Sequence, residues 1–428
     1  MNTRTIIILL TVLLSSAILN AKTFTYSQVH KMPTSVEKDY YIWRLLTQKI
    51  TTAGEAKSII QDASHLNKKL RDSYKAKTGL TAKLTSKPSL KKSDSRNDID
   101  WNKKAKANKY FKAGIQMVKL KQLKQASTLM YSAHNNYEQR WEKDKCLFWL
   151  YLITEDKDYL RDLKKSYHIN MYTLLAADIT KSKYPRTIVT PRISKKSILG
   201  LDEKNPIHWA KIKSKIFKRG VDLDDLADDC KSKETIGMYC FIKAKACNFK
   251  KSYFPMPYRS IMKKYNKERQ ALIYAIARQE SRFIPSSVSR SFALGMMQFM
   301  PFLVKHVAKQ KKQHIDLDDM FKPKKAIEFA DYHLDYLNKY LYHPLFVAYA
   351  YNAGIGFTRK LVRNKKYFRK GSFEPYLSME KMKNVEAREY GKRVLTNYVV
   401  YLNKLGKATR LLPFIEILTD PSKTDKFR

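Results

Sequence analysis

Glu280 is the residue around which chemistry can be built. In the stretch Ala271 to Phe283, Ile273, Ile276 and Phe283 fall on one stripe of a helix, and Glu280 completes that stripe, seven after Ile273 and four after Ile276. A carboxylate on an apolar helix face is costly. Burial disfavours its charged form, so its pKa should rise and the group should hold a proton near neutrality. That is the property a general acid needs for cleaving an acetal bond. A plainer reading stands beside it: a helix-end Glu that reaches solvent or pairs with Arg278 or Arg282.

The residues that follow favour the chemical reading. Glu280-Ser281, Phe283, Pro285, Ser289, Gly295-Met296-Met297-Gln298 and Met300-Pro301 form a series that resembles the soluble lytic transglycosylases, bacterial murein-cleaving enzymes with a lysozyme-like catalytic domain. Ala350-Tyr351-Asn352-Ala353-Gly354 is similar to the family's AYNAG motif, and Glu386-Ala387-Arg388-Glu389-Tyr390, followed by Val394-Leu395 and Asn397, to its Glu-x-Arg-x-Tyr motif. Each string alone is weak, but together they keep order and spacing, which chance matches do not. Earlier in the chain, Tyr172-Thr173-Leu174-Leu175-Ala176-Ala177 is similar to a stretch near the end of the family's superhelical domain. Three positions depart from the pattern: Met296 stands where Leu is usual, Ser291-Phe292 interrupts a run of small residues, and Ala387 stands where Thr is common. Phe292 is expected to reshape one wall of the groove.

The resemblance implies an all-α protein, with an N-terminal α-superhelical domain followed by a lysozyme-like, mostly helical catalytic domain. It also implies a lyase that cleaves the β-1,4 bond between N-acetylmuramic acid and N-acetylglucosamine without water, leaving 1,6-anhydromuramic ends. Glycosidases ordinarily flank the bond with two carboxylates. Only Glu280 has both the apolar setting and the motif match, so it is expected to serve first as acid and then as base. By the same carry-over Ser289 orients the substrate's N-acetyl group, although a turn residue is the plain alternative. Gln298 offers an amide to sugar or to Glu280. Tyr351 hydrogen-bonds near the acid, Asn352 shapes the groove wall, and Glu386 supports the site from deep in the groove. Met297 and Met300 could wall the groove, although Met at such spacing is more often core.

The elements that must position these residues are legible as helices. Met1 to Ala21, with Arg4 and an apolar run from Ile6 to Leu19, has the form of a cleavable export signal. Residues 22–252 are expected to form the α-helical superhelix-type domain, with a polar connection at about 76–100 that is rich in Lys, Ser, Thr and Asp. From Trp101 helices should recur in pairs, at 108–121, 123–134, 136–154, 156–167 and 171–179, and this rhythm suggests stacked hairpins. Residues 253–406 are expected to be the catalytic domain and 407–428 a tail. In the catalytic part Pro323 opens a helix whose buried stripe is Ile327, Ala330, Leu334, Leu337 and Leu341. Asp316, Asp318 and Asp319 lack the Gly and Glu of a calcium loop and read as solvated or capping residues.

The composition bounds the partners. A formal net charge of +45 would first suggest nucleic acid, but export argues against it and the lysines are dispersed along the chain. The excess is read either as a compositional habit of the source organism or as affinity for an anionic wall polymer. Cys146, Cys230, Cys240 and Cys247 permit disulfides in an exported protein. Cys240 and Cys247 lie about 10 Å apart along one helix, so a bridge from Cys230 to Cys240 or Cys247 is favoured, with free buried thiols as the alternative. No Cys/His spacing resembles a zinc site, and neither metal nor cofactor is expected. The expected setting is the periplasm, as a monomer with no membrane span once the signal is removed. Expected partners are glycan strands of peptidoglycan and, further, cell-wall synthesis or division proteins. Rival readings are a goose-type-lysozyme-like hydrolase and a non-catalytic wall-binding protein.

Overall fold

The computed structural model describes residues 22–85 and 100–428. The expected signal, Met1 to Ala21, lies outside the described residues, as do residues 86–99 of the polar connection. Among the described residues the fold is all-α apart from one short parallel pair, in which Ile188–Val189 lies beside Ser252–Tyr253. Among the described residues no helix is long and apolar enough to cross a membrane.

The chain divides into two compact units, one formed by Met1–Lys91, Lys204–Lys211 and Ser286–Ala326, the other by Lys92–Glu203, Ile212–Pro285 and Ile327–Arg428. In the first unit the Val36–Leu46 helix starts at Ser35, whose hydroxyl accepts from the Lys38 amide at 3.1 Å. It carries the buried Tyr40 and the half-buried Trp43, whose rings lie 6.0 and 5.6 Å from that of Phe292. Phe292 therefore packs into a core rather than standing on a groove wall. Arg44 grips Asp316 at 2.7 Å and Asp318 at 3.0 Å, and Tyr40 donates to Asp318 at 2.8 Å. Asp316 also accepts from the Asp318 amide at 2.8 Å, starting the Leu317–Phe321 turn of 3₁₀ helix. The aspartates thus cap, as expected, but they are also tied to an arginine far away in sequence.

In the second unit the helical pairs follow one another as the rhythm suggested. Trp101–Lys119 packs on Leu123–Asn136, which packs on Arg140–Thr154, which packs in turn on Asp158–Lys164. Met171–Ile179 has the expected bounds, fixed by a capping box between Asn170 and Thr173. The centre of the unit is the Val385–Lys404 helix, against which Lys267–Glu280 and Pro344–Ala353 both pack. Gly391 allows this closeness, because a Cβ there would stand 2.2 Å from Cε1 of Tyr349. The Pro323–Asn338 helix buries Ile327, Ala330, Leu334 and Leu337 of the expected stripe, and Leu341, also buried, lies beyond its end, in a bridge with Asp425.

A buried ionic cluster joins the motif helices to the earlier part of the chain. Lys392 reaches Glu380 at 2.6 Å and Glu389 at 3.3 Å, and Tyr172 donates to Glu380 at 2.8 Å. The sequence resemblance singled out the stretch beginning at Tyr172, and this hydrogen bond gives it a structural task. The C-terminal segment is more than a tail. Leu411, Ile415 and Leu418 are buried, and Arg428 pairs with Asp425 at 2.8 Å.

The bridge expected from Cys230 to Cys240 or Cys247 is not formed, and all four cysteines are free thiols. Cys230 and Cys240 are buried as small apolar side chains, and burial pushes the Cys230 thiol up to about 12. The Cys247 thiol turns back to the Ala244 carbonyl of its own helix, at 3.3 Å.

Candidate active site

Glu280 is the last residue of the Lys267–Glu280 helix, which starts at Asn266, whose side chain accepts from the Arg269 amide. From Ala271 to Ala277 every residue is buried, so the body of the helix is enclosed while its last three residues, Arg278 to Glu280, are half-buried. Beyond Glu280 the chain turns sharply. Arg282 and Phe283 have φ values of 55° and 65°, left-handed conformations that cost L-residues about 1–2 kcal/mol each. Two features hold the turn: the fully buried Phe283 ring and the Ile236–Ala246 helix. A Cβ at Gly237 of that helix would stand 2.3 Å from the Phe283 carbonyl oxygen and 2.8 Å from that of Arg282. Only a glycine lets the helix back the turn this closely.

The carboxyl of Glu280 accepts a hydrogen bond of 2.7 Å from the hydroxyl of Tyr390. Part of the side chain reaches solvent, but dense packing around the carboxyl removes enough water to raise its pKa to about 7. The Tyr390 bond works against that rise, and the negative charge of Glu386 adds to it. Position at a helix C-terminus acts in the same direction, since the macrodipole there disfavours a carboxylate. The result is an acid poised at neutrality. Pairing with an arginine is not what holds it. Arg278 donates to the Tyr253 carbonyl at 2.9 Å and to Asn397 at 2.7 Å, with its guanidinium 3.7 Å from the Phe254 ring centre. Arg282 lies over the rings of Phe241 and Phe249.

Three more of the sequence-derived residues gather in the same unit. The phenol of Tyr351 is pushed well up by burial and, next, by the charge of Glu280. Asn352 donates to Glu386 at 3.4 Å. Glu386 itself is exposed, in the first turn of the Val385–Lys404 helix, where a carboxylate complements the helix N-terminus. It does not lie deep in a groove, because the buried face of that turn is taken by Ala387 and Tyr390.

Ser289, Gln298 and Met300 belong to the other unit. The Ser289 hydroxyl accepts from the Ala293 amide at 2.9 Å and so closes a tight turn. Around it Val288 pairs with Leu294 and Leu294 with Phe299, each as a single β-bridge. Gln298 donates to the carbonyls of Gly295 at 2.8 Å and Ser287 at 3.2 Å, tying the same loop. Met297 is completely buried and is core, whereas Met300 is half-buried at the start of the Pro301–Gln310 helix. Tyr390 is the residue that sequence reasoning missed. It was part of the quoted motif, and its place four before the apolar Val394 on the same helix was the available signal. Among the described residues no group of three or more His, Cys, Asp or Glu side chains converges as a metal site.

Residues 257–373 match the family described as the transglycosylase SLT domain. The soluble lytic murein transglycosylase of Salmonella typhimurium is 28% identical over 165 residues, which is 37% of this chain and 25% of that protein. A putative soluble lytic murein transglycosylase of Haemophilus influenzae is 27% identical over 255 residues, 50% of this chain and 42% of that protein. The chain thus spans less than half the length of these curated relatives. Among solved structures, the lytic transglycosylase Slt of Pseudomonas aeruginosa aligns with a TM-score of 0.48 at 16% identity, over 89% of this chain and 59% of that one. The matched segment contains Glu280, Ser289, Gln298, Tyr351 and Asn352, so residues 257–373 of this chain are similar to the transglycosylase SLT domain and, in sequence, to the soluble lytic murein transglycosylases.

Proposed function

We propose that the protein is a peptidoglycan lytic transglycosylase acting in cell-wall remodelling and turnover. The observation that carries the reading is the carboxyl of Glu280, raised to about 7 and held by Tyr390. At neutral pH a large fraction of such a group is protonated and can give its proton to the oxygen of the β-1,4 bond between N-acetylmuramic acid and N-acetylglucosamine. As the C1–O bond breaks, the N-acetylglucosamine side leaves as a 4-hydroxyl. The muramyl N-acetyl carbonyl attacks C1 and gives an oxazolinium-like intermediate. Glu280, now a carboxylate, takes the proton of the muramyl C6 hydroxyl, whose oxygen then displaces the N-acetyl oxygen at C1. A 1,6-anhydromuramic end results and Glu280 is again an acid. No water enters, and the intramolecular attack keeps the entropic advantage of a tethered nucleophile.

Around this centre Tyr390 sets the proton affinity of the acid, and Tyr351 contributes a second phenol beside it. Ser289, Gln298 and Met300 are proposed to meet the N-acetyl group and the sugar, and Asn352 and Glu386 to shape the exposed side of the groove. The catalytic segment is taken as residues 253–406, the preceding helices as the superhelical domain, and the periplasm as the site of action. A hydrolytic outcome is the second reading, favoured by one observation: the charge of Glu386 is near enough to raise Glu280, so a second carboxylate is at hand to activate water. Mass spectrometry of the muropeptides released from purified sacculi separates the two. Anhydro-ended products from wild type and none from Glu280→Gln are expected. Reducing ends would establish the hydrolase, and no release would leave a wall-binding protein.

A further inference from the structure

The Val385–Lys404 helix carries Tyr390 near its start, and a cavity of about 620 Å³ opens at its far end. Lys404 comes fourteen residues after Tyr390, about 21 Å along the helix axis, so the cavity is separate from the surroundings of Glu280. Its walls are fastened to one another. Asn403 donates to the Val399 carbonyl at 2.8 Å and to the Thr409 carbonyl at 3.0 Å. Asp178, whose side chain is 2% exposed, accepts from the amides of Leu411 at 2.6 Å and Leu412 at 2.8 Å and pairs with Arg410 at 3.3 Å. The Tyr184 hydroxyl accepts from the Leu411 amide at 3.0 Å. A space held in this way needs little ordering when something enters it.

The charges that line the cavity are not balanced. Asp178 offsets Arg410, but Lys183 and Lys404 have no carboxylate partner among the described residues. The Lys404 ammonium meets only the hydroxyl of Thr190, and burial lowers its pKa with no anion opposing the shift. A helix C-terminus favours a lysine, which accounts for Lys404 by itself. It does not account for two uncompensated cations on a cavity whose remaining wall is the apolar Ile188, Val400 and Ala408.

We propose that this cavity is a second binding site, one that takes the C-terminal carboxylate of a short peptide with small aliphatic side chains. The site stands apart from the transglycosylase reading and does not depend on it. Three features choose the occupant. The first is charge. With Arg410 engaged by Asp178, the free cations are two lysines beside a helix C-terminus, whose partial negative charge suits a single carboxylate better than a doubly charged phosphate. The second is shape. The volume falls within the range of about 300–1,000 Å³ found for small-ligand sites, and Ile188, Val400 and Ala408 offer a compact aliphatic surface. The third is the polar remainder. The Thr409 hydroxyl is uncommitted and is both donor and acceptor, which fits the amide preceding a terminal carboxylate. In the bound state the carboxylate lies between Lys183 and Lys404 and supplies the anion that Lys404 lacks.

Calorimetry on the full chain tests this with N-acetyl-trialanine bearing a free carboxylate, the same peptide as its C-terminal amide, and inorganic phosphate. Lys404→Met removes the charge and keeps the length of the side chain. Ala408→Trp fills the cavity from an exposed position, so it reads the site even if Lys404→Met folds poorly. Lys383→Met, exposed and outside the cavity, is the control. The free acid is expected to bind about tenfold or more tightly than the amide, and Lys404→Met to raise its dissociation constant about tenfold. Ala408→Trp should abolish binding and Lys383→Met should leave it unchanged. No binding of the acid by wild type, equal affinity for acid and amide, or an affinity that Ala408→Trp leaves in place would overturn the site. Phosphate binding more tightly than the acid would overturn the peptide as its occupant.

Discussion

Tyr390→Phe isolates the one hydrogen bond that opposes the high proton affinity of Glu280. The ring is buried at 5% exposure, so phenylalanine keeps the packing and removes only the hydroxyl, whose bond to the carboxyl is 2.7 Å long. A hydrogen bond to a charged acceptor is worth about 1.5–3 kcal/mol, and one to a neutral acceptor about 0.5–1.5 kcal/mol. The difference, which favours the ionised form, is on the order of 1–1.5 kcal/mol, or about one pH unit. Glu280, already raised to about 7, should therefore climb further in the variant. The limb of the kcat/KM profile on which activity falls with rising pH reports the acid that must be protonated. It should move up by about one pH unit, while kcat at its plateau drops because the carboxyl has lost its orientation. The assay is the initial rate of muropeptide release between about pH 5 and about pH 9, with melting curves to confirm folding. A limb that stays in place, or moves to lower pH, would refute the role given to Tyr390.

Glu280→Gln should stabilise the protein above neutrality. A carboxyl held at about 7 in the folded state and 4.5 otherwise makes wild-type stability fall as pH rises through that window, and glutamine removes the loss. The full shift would be worth about 3 kcal/mol, reduced to about 1–2 kcal/mol because the group is half-buried. The variant should melt higher than wild type at pH 8 and equally at pH 4. Gly237→Ala places a methyl 2.3 Å from the Phe283 carbonyl, so the turn after Glu280 or the helix behind it must move. A loss of about 1–3 kcal/mol in urea unfolding and a fall in kcat larger than any change in KM are expected. Lys392→Met takes from Glu380, whose side chain is 2% exposed, the cation at 2.6 Å and leaves it Tyr172 and the more distant Arg388, and should cost up to about 3 kcal/mol. Adding Glu380→Gln should recover part of that loss in a double-mutant cycle, and strict additivity would count against the pair.

The helices, and the setting of the acid, were legible because both rest on local pattern. The apolar stripe through Ile273 and Ile276 points to a carboxyl in an apolar setting at Glu280, and the helix expected at 171–179 has those bounds in the structure. What was not legible depends on distant partners. Nothing near Asp316 announces Arg44, 272 residues earlier. Nothing in the motif states that the Ser289 hydroxyl is engaged in closing a turn. The exposure of Glu386 follows from which face of the Val385–Lys404 helix Tyr390 and Ala387 occupy, and a motif string does not record facing. The cysteines misled for the same reason, since an even count says nothing of where each thiol points.

The make-up of the first unit has a consequence for the order in which the chain folds and for where it can be cut. Its parts are drawn from three separated stretches, and the last arrives only with Ser286–Ala326. During synthesis the Val36–Leu46 helix emerges early, but Tyr40, Trp43 and Arg44 wait for Phe292, Asp316 and Phe321 before their surfaces are covered. Closing so long a loop is entropically slow, and until it closes those aromatic faces are open to misassociation. A fragment begun near residue 250, the natural place to excise the matched domain, would carry Phe292 and Phe321 without the helix that shields them. The N-terminal segment thus acts as a built-in cover for later residues, and shortening the protein from that end should yield an aggregating fragment rather than a smaller enzyme.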